Sequence, residues 1–78
     1  MRKILKLYKD NCPPCSALNS WLENNEIAFE SQNVMNDFDA IEKYSLKSLP
    51  TTIIFEDERE INRVVGFDVN KLKEAIYE

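Results

Sequence analysis

The chain contains no histidine, only one glycine, one tryptophan, two cysteines and three prolines. With two Cys and no His, a four-ligand Cys/His zinc site cannot be completed within one chain, and only two chains sharing four cysteines would supply it. Two cysteines also exclude the disulfide-dense scaffold of a small secreted domain, because a single bridge is all they allow. Basic residues are in the minority, Lys+Arg 10 against Asp+Glu 14, giving a net charge of −4 at pH 7 and a pI near 4.8. A protein that gripped nucleic acid through its phosphates would be repelled overall, so no nucleic-acid partner is expected. No stretch reaches the roughly 18 consecutive apolar residues of a membrane span. The basic start Met1-Arg2-Lys3 leads only into Ile4-Leu5-Lys6-Leu7-Tyr8, which is broken by a lysine and lacks a small-residue cleavage site. The expectation is a cytoplasmic protein with no membrane partner, in which a close cysteine pair is reactive or metal-binding rather than a permanent staple.

What is present suits one small fold. The 78 residues amount to 9.1 kDa, and two cores would leave neither half enough chain to bury, so residues 1–78 read as a single domain. Hydrophobic residues at 44% supply a core and charged residues at 31% keep the surface wet, which excludes a disordered chain.

Residues 3–8, KILKLY, alternate as a strand ending in the turn formers Lys9-Asp10-Asn11. Cys12-Pro13-Pro14-Cys15 follows, and proline suits the first turn of a helix, where its missing N–H had no partner. This places Cys12 at an N-cap. Ala17, Leu18, Trp21 and Leu22 repeat at helical spacing until Asn24-Asn25, with Trp21 expected in the core. Residues 27–31 alternate like a second strand. Asn36-Asp37 offers a cap to a second helix carrying Phe38, Ile41 and Tyr44. Thr51 to Phe55 is the most strand-like segment, and Glu60 to Val65 pairs with it as a hairpin across the charged turn Glu56 to Arg59. Gly66 marks a backbone position wanting positive φ. Asn70 is expected to cap a last helix with Leu72, Ala75 and Ile76 on its buried stripe. The order β-α-β-α-β-β-α implies an α/β fold with a four-stranded mixed sheet flanked by three helices.

The chemistry sits at the cysteines. Two cysteines three apart at a helix start lie on neighbouring positions of one face, so their sulfurs can form a small disulfide. The first faces unpaired backbone N–H groups and the positive end of the helix dipole, which favour thiolate over thiol. Cys12 is therefore expected to be the nucleophile. Cys15, one turn inside and shielded, is expected to attack the mixed disulfide on Cys12 and release the partner as the resolving thiol. Two inert core cysteines are the alternative, but Pro-Pro at a strand-to-helix junction is an odd way to place them. A Cys-x-x-Cys between a strand and a helix in a βα chain is a strong redox signal.

KLYKDNCPPC with its amphipathic helix, then SLPTTIIF, a hairpin and a lone glycine before the last helix, together resemble the thioredoxin superfamily in its short, glutaredoxin-like form. The likeness covers essentially the whole chain. It implies a thioredoxin-like fold and dithiol–disulfide exchange with no bound cofactor. It further implies a cis bond between Leu49 and Pro50 facing the Cys12–Cys15 pair, in a loop that offers its backbone to a substrate chain. Candidate substrate contacts are Leu49, Pro50, Tyr8, Pro13 and Pro14; Tyr8 is placed to shape access to the cysteines, or else is a rim or core aromatic. The implied partners are a thioredoxin reductase-like flavoenzyme as electron donor and protein disulfide clients, ribonucleotide reductase among them, served by a monomer.

The chain departs from the family pattern at several positions. Pro13-Pro14 is neither the Gly-Pro of thioredoxins nor the Pro-Tyr of glutaredoxins, and Asn11 stands where a Trp precedes the first cysteine. Lys6 holds the place of a buried Asp. Gly66-Phe67-Asp68 is all that answers to the glutathione-gripping segment of glutaredoxins, a glutathione-dependent variant being the alternative chemistry. A non-catalytic binding module is the alternative from outside enzymology. Lys6, Lys9 and Lys47 either line the site and favour a thiolate or form a solvated face.

Overall fold

The structure, a computed structural model, describes residues 1–77. Its elements run β1 (Arg2–Tyr8), α1 (Pro13–Asn24), β2 (Glu30–Asn33), α2 (Asp39–Lys43), β3 (Thr51–Glu56), β4 (Arg59–Val65) and α3 (Val69–Tyr77). The sheet order is β2-β1-β3-β4. β1 and β2 are parallel, joined through α1 as parallel neighbours require, while β1–β3 and β3–β4 are antiparallel. This is the four-stranded mixed sheet with three helices that the residue pattern predicts.

The pleat of β1 sorts its side chains between two cores. Ile4 joins Ile54 and Val64 beneath Leu18 and Leu22 of α1 and Leu72 and Ala75 of α3. Leu5 and Leu7 point the other way, with Ile53, to meet Val34 and Ala40 on the α2 side. Lys6 is therefore on the α1 face, opposite Thr52 in the β1–β3 register.

One glycine must serve a fold with many reversals, so other residues take left-handed conformations. Glu26 (φ 55°) and Ser45 (φ 52°) end α1 and α2. Each helix closes with the paired bonds of a Schellman motif, Glu26 N–H to the Glu23 carbonyl and Ile27 N–H to that of Leu22, then Ser45 N–H to Glu42 and Leu46 N–H to Ile41. Asp57 (φ 51°) and Glu58 (φ 70°) form the two-residue hairpin turn with both central φ positive, a role usually given to Asn-Gly or Asp-Gly.

Four expectations need correction. The second strand is Glu30–Asn33, not 27–31; its place is set by pairing with Leu5 to Tyr8, while Ile27 and Phe29 pack on the α1-side core before the strand begins. The second helix has only five residues, and its inward side chain is Ala40; Phe38 and Ile41 are exposed, and Phe38 rather than Asn36 or Asp37 is the N-cap, with no side-chain cap bond. Asp68, not Asn70, caps α3, its Oδ1 accepting the Lys71 N–H at 3.1 Å. Trp21 is half-buried against the α1-side core instead of lying within it.

Candidate active site

The strand-to-helix junction places the cysteines. β1 ends at Tyr8, Asn11 turns the chain with φ 53°, and Cys12 enters α1 as an extended N-cap ahead of Pro13 and Pro14. Its Sγ accepts the Cys15 backbone N–H at 3.2 Å, so the sulfur takes the capping place an oxygen normally fills. Cys12 and Cys15 are joined by a disulfide, their Cα atoms 5.2 Å apart. Cys12 is 7% and Cys15 4% exposed. Residue exposure thus does not separate the two cysteines, and what distinguishes Cys12 is its place at the helix terminus.

An open groove of about 870 Å³ lies beside the disulfide, lined by Cys12, Pro13, Cys15, Ser16, Asn19 and Ser20 from the α1 side, Lys6 and Tyr8 from β1, Lys9 to Asn11 from the junction, and Ser31 from β2. Tyr8 and Pro13 are therefore beside the cysteines. Pro14 is exposed and does not line the groove. Nor do Leu49 and Pro50: Leu49 packs on the α2-side core and the Pro50 ring is fully buried. The Leu49–Pro50 bond is cis, and the Pro50 carbonyl accepts the Gly66 N–H at 2.7 Å. Gly66 has φ 82°, and a Cβ there would meet nothing within 4 Å, so backbone conformation rather than space calls for glycine.

Of the three candidate lysines, Lys6 and Lys9 line the groove, whereas Lys47 is exposed and does not. Lys6 is only 4% exposed. Its Nζ donates to Asn19 Oδ1 at 2.6 Å, and Asn19 Nδ2 donates on to Glu23 Oε1 at 2.9 Å. The ammonium also lies 4.6 Å from the Tyr8 ring centroid and 5.4 Å from that of Phe29, within cation–π range. Burial pulls the Lys6 pKa below its usual value, opposed by the charge of Glu23. Asn19 was not among the residues singled out by motif, although its place four after Cys15 on one helix stripe marks it.

No family model matches the chain. The SPbeta prophage-derived thioredoxin-like protein YosR of Bacillus subtilis is 34% identical over 77 residues, spanning 97% of this chain and 96% of that protein. The chain belongs to the thioredoxin-like proteins. Mitochondrial thioredoxin-2 of Schizosaccharomyces pombe is 31% identical over 78 residues, and the match covers 94% of this thioredoxin-like chain but 59% of that longer one. Among solved structures, reduced thioredoxin pre-protein of Schistosoma mansoni superposes with a TM-score of 0.87 at 19% identity, covering 97% of this chain and 76% of that one. Spinach chloroplast thioredoxin f gives 0.87 at 21%, covering 97% and 73%. Both show the thioredoxin fold. Family membership and the Cys12–Cys15 disulfide make this thioredoxin-like protein a thiol–disulfide oxidoreductase that acts on disulfide clients.

Proposed function

We propose that the chain reduces protein disulfides with Cys12 as nucleophile and Cys15 as resolving thiol. The observation that carries the assignment is the Cys12 sulfur at the N-cap of α1, accepting the Cys15 N–H, where helix-end partial charge favours a thiolate. The Cys12 thiolate attacks one client sulfur and displaces the other as a thiolate, leaving a mixed disulfide. The Cys15 thiolate then attacks Cys12, the remaining client sulfur leaves, and the Cys12–Cys15 bond forms. Two electrons pass to the client.

Two electrons must return, and a thioredoxin reductase-like flavoenzyme is the donor in this reading, with the monomeric protein working in the cytoplasm and ribonucleotide reductase as one client. Likeness to thioredoxins over nearly the whole chain supports it. A coupled assay tests the donor. NADPH with thioredoxin reductase is expected to drive reduction of a protein disulfide through this protein, and glutathione with its reductase to do so poorly. Turnover with glutathione alone would make it a glutaredoxin in function, and turnover with neither would leave the reading without support.

A further inference from the structure

Lys6 is a buried ammonium whose hydrogen-bond acceptor is neutral, in the wall of the groove that holds the redox pair. Among the described residues no carboxylate forms an ion pair with it. A buried charge left like this costs stability unless something compensates it. Asn19, its acceptor, is one helical turn beyond Cys15 on the same stripe of α1, and residues so related have Cβ atoms about 5–6 Å apart. Lys6 and Cys15 thus line the same groove, and the ammonium is hydrogen-bonded to the side chain one turn from Cys15.

We propose that Lys6 is a positioning residue for charge: it stabilises the Cys15 thiolate, speeds resolution and makes the Cys12–Cys15 disulfide more oxidising. The proposal rests on the role given to Cys15 above. A disulfide is uncharged, whereas a thiolate beside an ammonium is favoured over the thiol. Reduction takes up two electrons; Cys12 emerges as the thiolate that the helix end favours, and Lys6 lowers the cost of leaving Cys15 unprotonated as well, so the one proton otherwise taken up by Cys15 is held less tightly. During resolution the Cys15 proton leaves to solvent through the groove, the thiolate attacks Cys12, and Lys6 stays protonated throughout.

Other groups share the groove with the ammonium or belong to the elements packed on Lys6. From β1 and the junction come Tyr8, Lys9 and Asp10, and from α1 the cysteines and, through Asn19, the exposed Glu23. Phe29, before β2, presents a ring, and Thr52 on β3 a buried hydroxyl with no hydrogen-bond partner. Asp10 is held by a hydrogen bond from Asn33.

The test titrates Cys15 alone in a Cys12→Ser protein, by thiolate absorbance against pH. Adding Lys6→Met is expected to raise the Cys15 pKa by about one unit, and Lys6→Arg to leave it close to the parent. With both cysteines present, Lys6→Met is expected to shift equilibrium with glutathione toward the disulfide, by up to about tenfold (about 30 mV more reducing) at a pH above the Cys15 pKa and by less below it. Reciprocity supplies a measurement on the unaltered protein: the Lys6 side-chain NMR signal is expected to titrate at higher pH in the reduced than in the oxidised form. This decides the matter even if Lys6→Met does not fold. An unmoved Cys15 pKa, an equal rise in Lys6→Arg, or a Lys6 titration indifferent to redox state would each overturn the proposal. Capture of clients by Cys15→Ser with Lys6 intact tests the role of Cys15 separately.

Discussion

A sulfur and an ammonium share one groove, and each residue changes what the other costs. Lys6 has its pKa lowered by burial, with Glu23 acting against the shift. Burial penalises the protonated amine, so its charge disfavours the fold. As pH rises through the lowered folded value toward the ordinary 10.5, the folded amine releases its proton first, and the penalty lifts. Lys6→Met is therefore expected to stabilise the protein by about 1 kcal/mol at pH 7, with the advantage shrinking toward pH 10.5. Urea midpoints across that range check both sign and window. At the redox pair, Cys15→Ser removes the resolving thiol and leaves the nucleophile, so mixed disulfides with client proteins are expected to accumulate, while Cys12→Ser accumulates none. Non-reducing gels of a lysate read the result, and trapping by Cys12→Ser instead would reverse the roles. The cysteines were legible because Cys-Pro-Pro-Cys carries its meaning locally. Whether Lys6 faced water or the site depended on which face of β1 met α1.

Elements show where local signals suffice and where they do not. α1 is readable end to end, since the Pro-Pro start, the Ala17-Leu18-Trp21-Leu22 stripe and the Asn24-Asn25 stop all lie within the helix. β2 is not: its four residues Glu30-Ser31-Gln32-Asn33 carry no apolar alternation, and the ladder to β1 alone makes them a strand. The hairpin turn was found from its charge, but not its conformation, because two acidic residues stand where glycine or asparagine is usual. A non-glycine residue in the left-handed region costs about 1–2 kcal/mol, part of which a glycine returns as chain entropy. Glu58→Gly is expected to raise stability by about 0.5–1 kcal/mol, and no change in the denaturation midpoint would count against strain at this turn. Asp68→Ala is expected to cost about 1 kcal/mol by removing the α3 cap. Asn70→Ala, at the position the sequence favoured, should cost less.

The whole molecule is held by two small cores on either side of one sheet. A domain of this size has a stability of about 5–15 kcal/mol at most, so each fully buried aliphatic side chain matters. Leu72 is 0% exposed and brings α3 to Ile54 and Val64. Leu72→Ala is expected to cost about 2–5 kcal/mol, seen as a lower thermal midpoint with thiol reactivity retained in the folded fraction. A loss below about 1 kcal/mol would mean that α3 contributes little to the core.

The order of elements, the redox chemistry and the place of Cys12 at a helix start are all legible in the chain's residues alone. Those follow from periodicity, proline geometry and cysteine spacing, which act over a few residues. Tertiary contacts settle that Lys6 is buried against Asn19 in the groove wall, that Leu49 and Pro50 are not among the residues lining that groove, and that β2 begins at Glu30. Each depends on which strand pairs with which and in what register, and shifting a strand by one residue sends every side chain to the opposite face. The charge in the wall of the redox groove is thus a property of the β1 pleat meeting α1, written in no local run of residues.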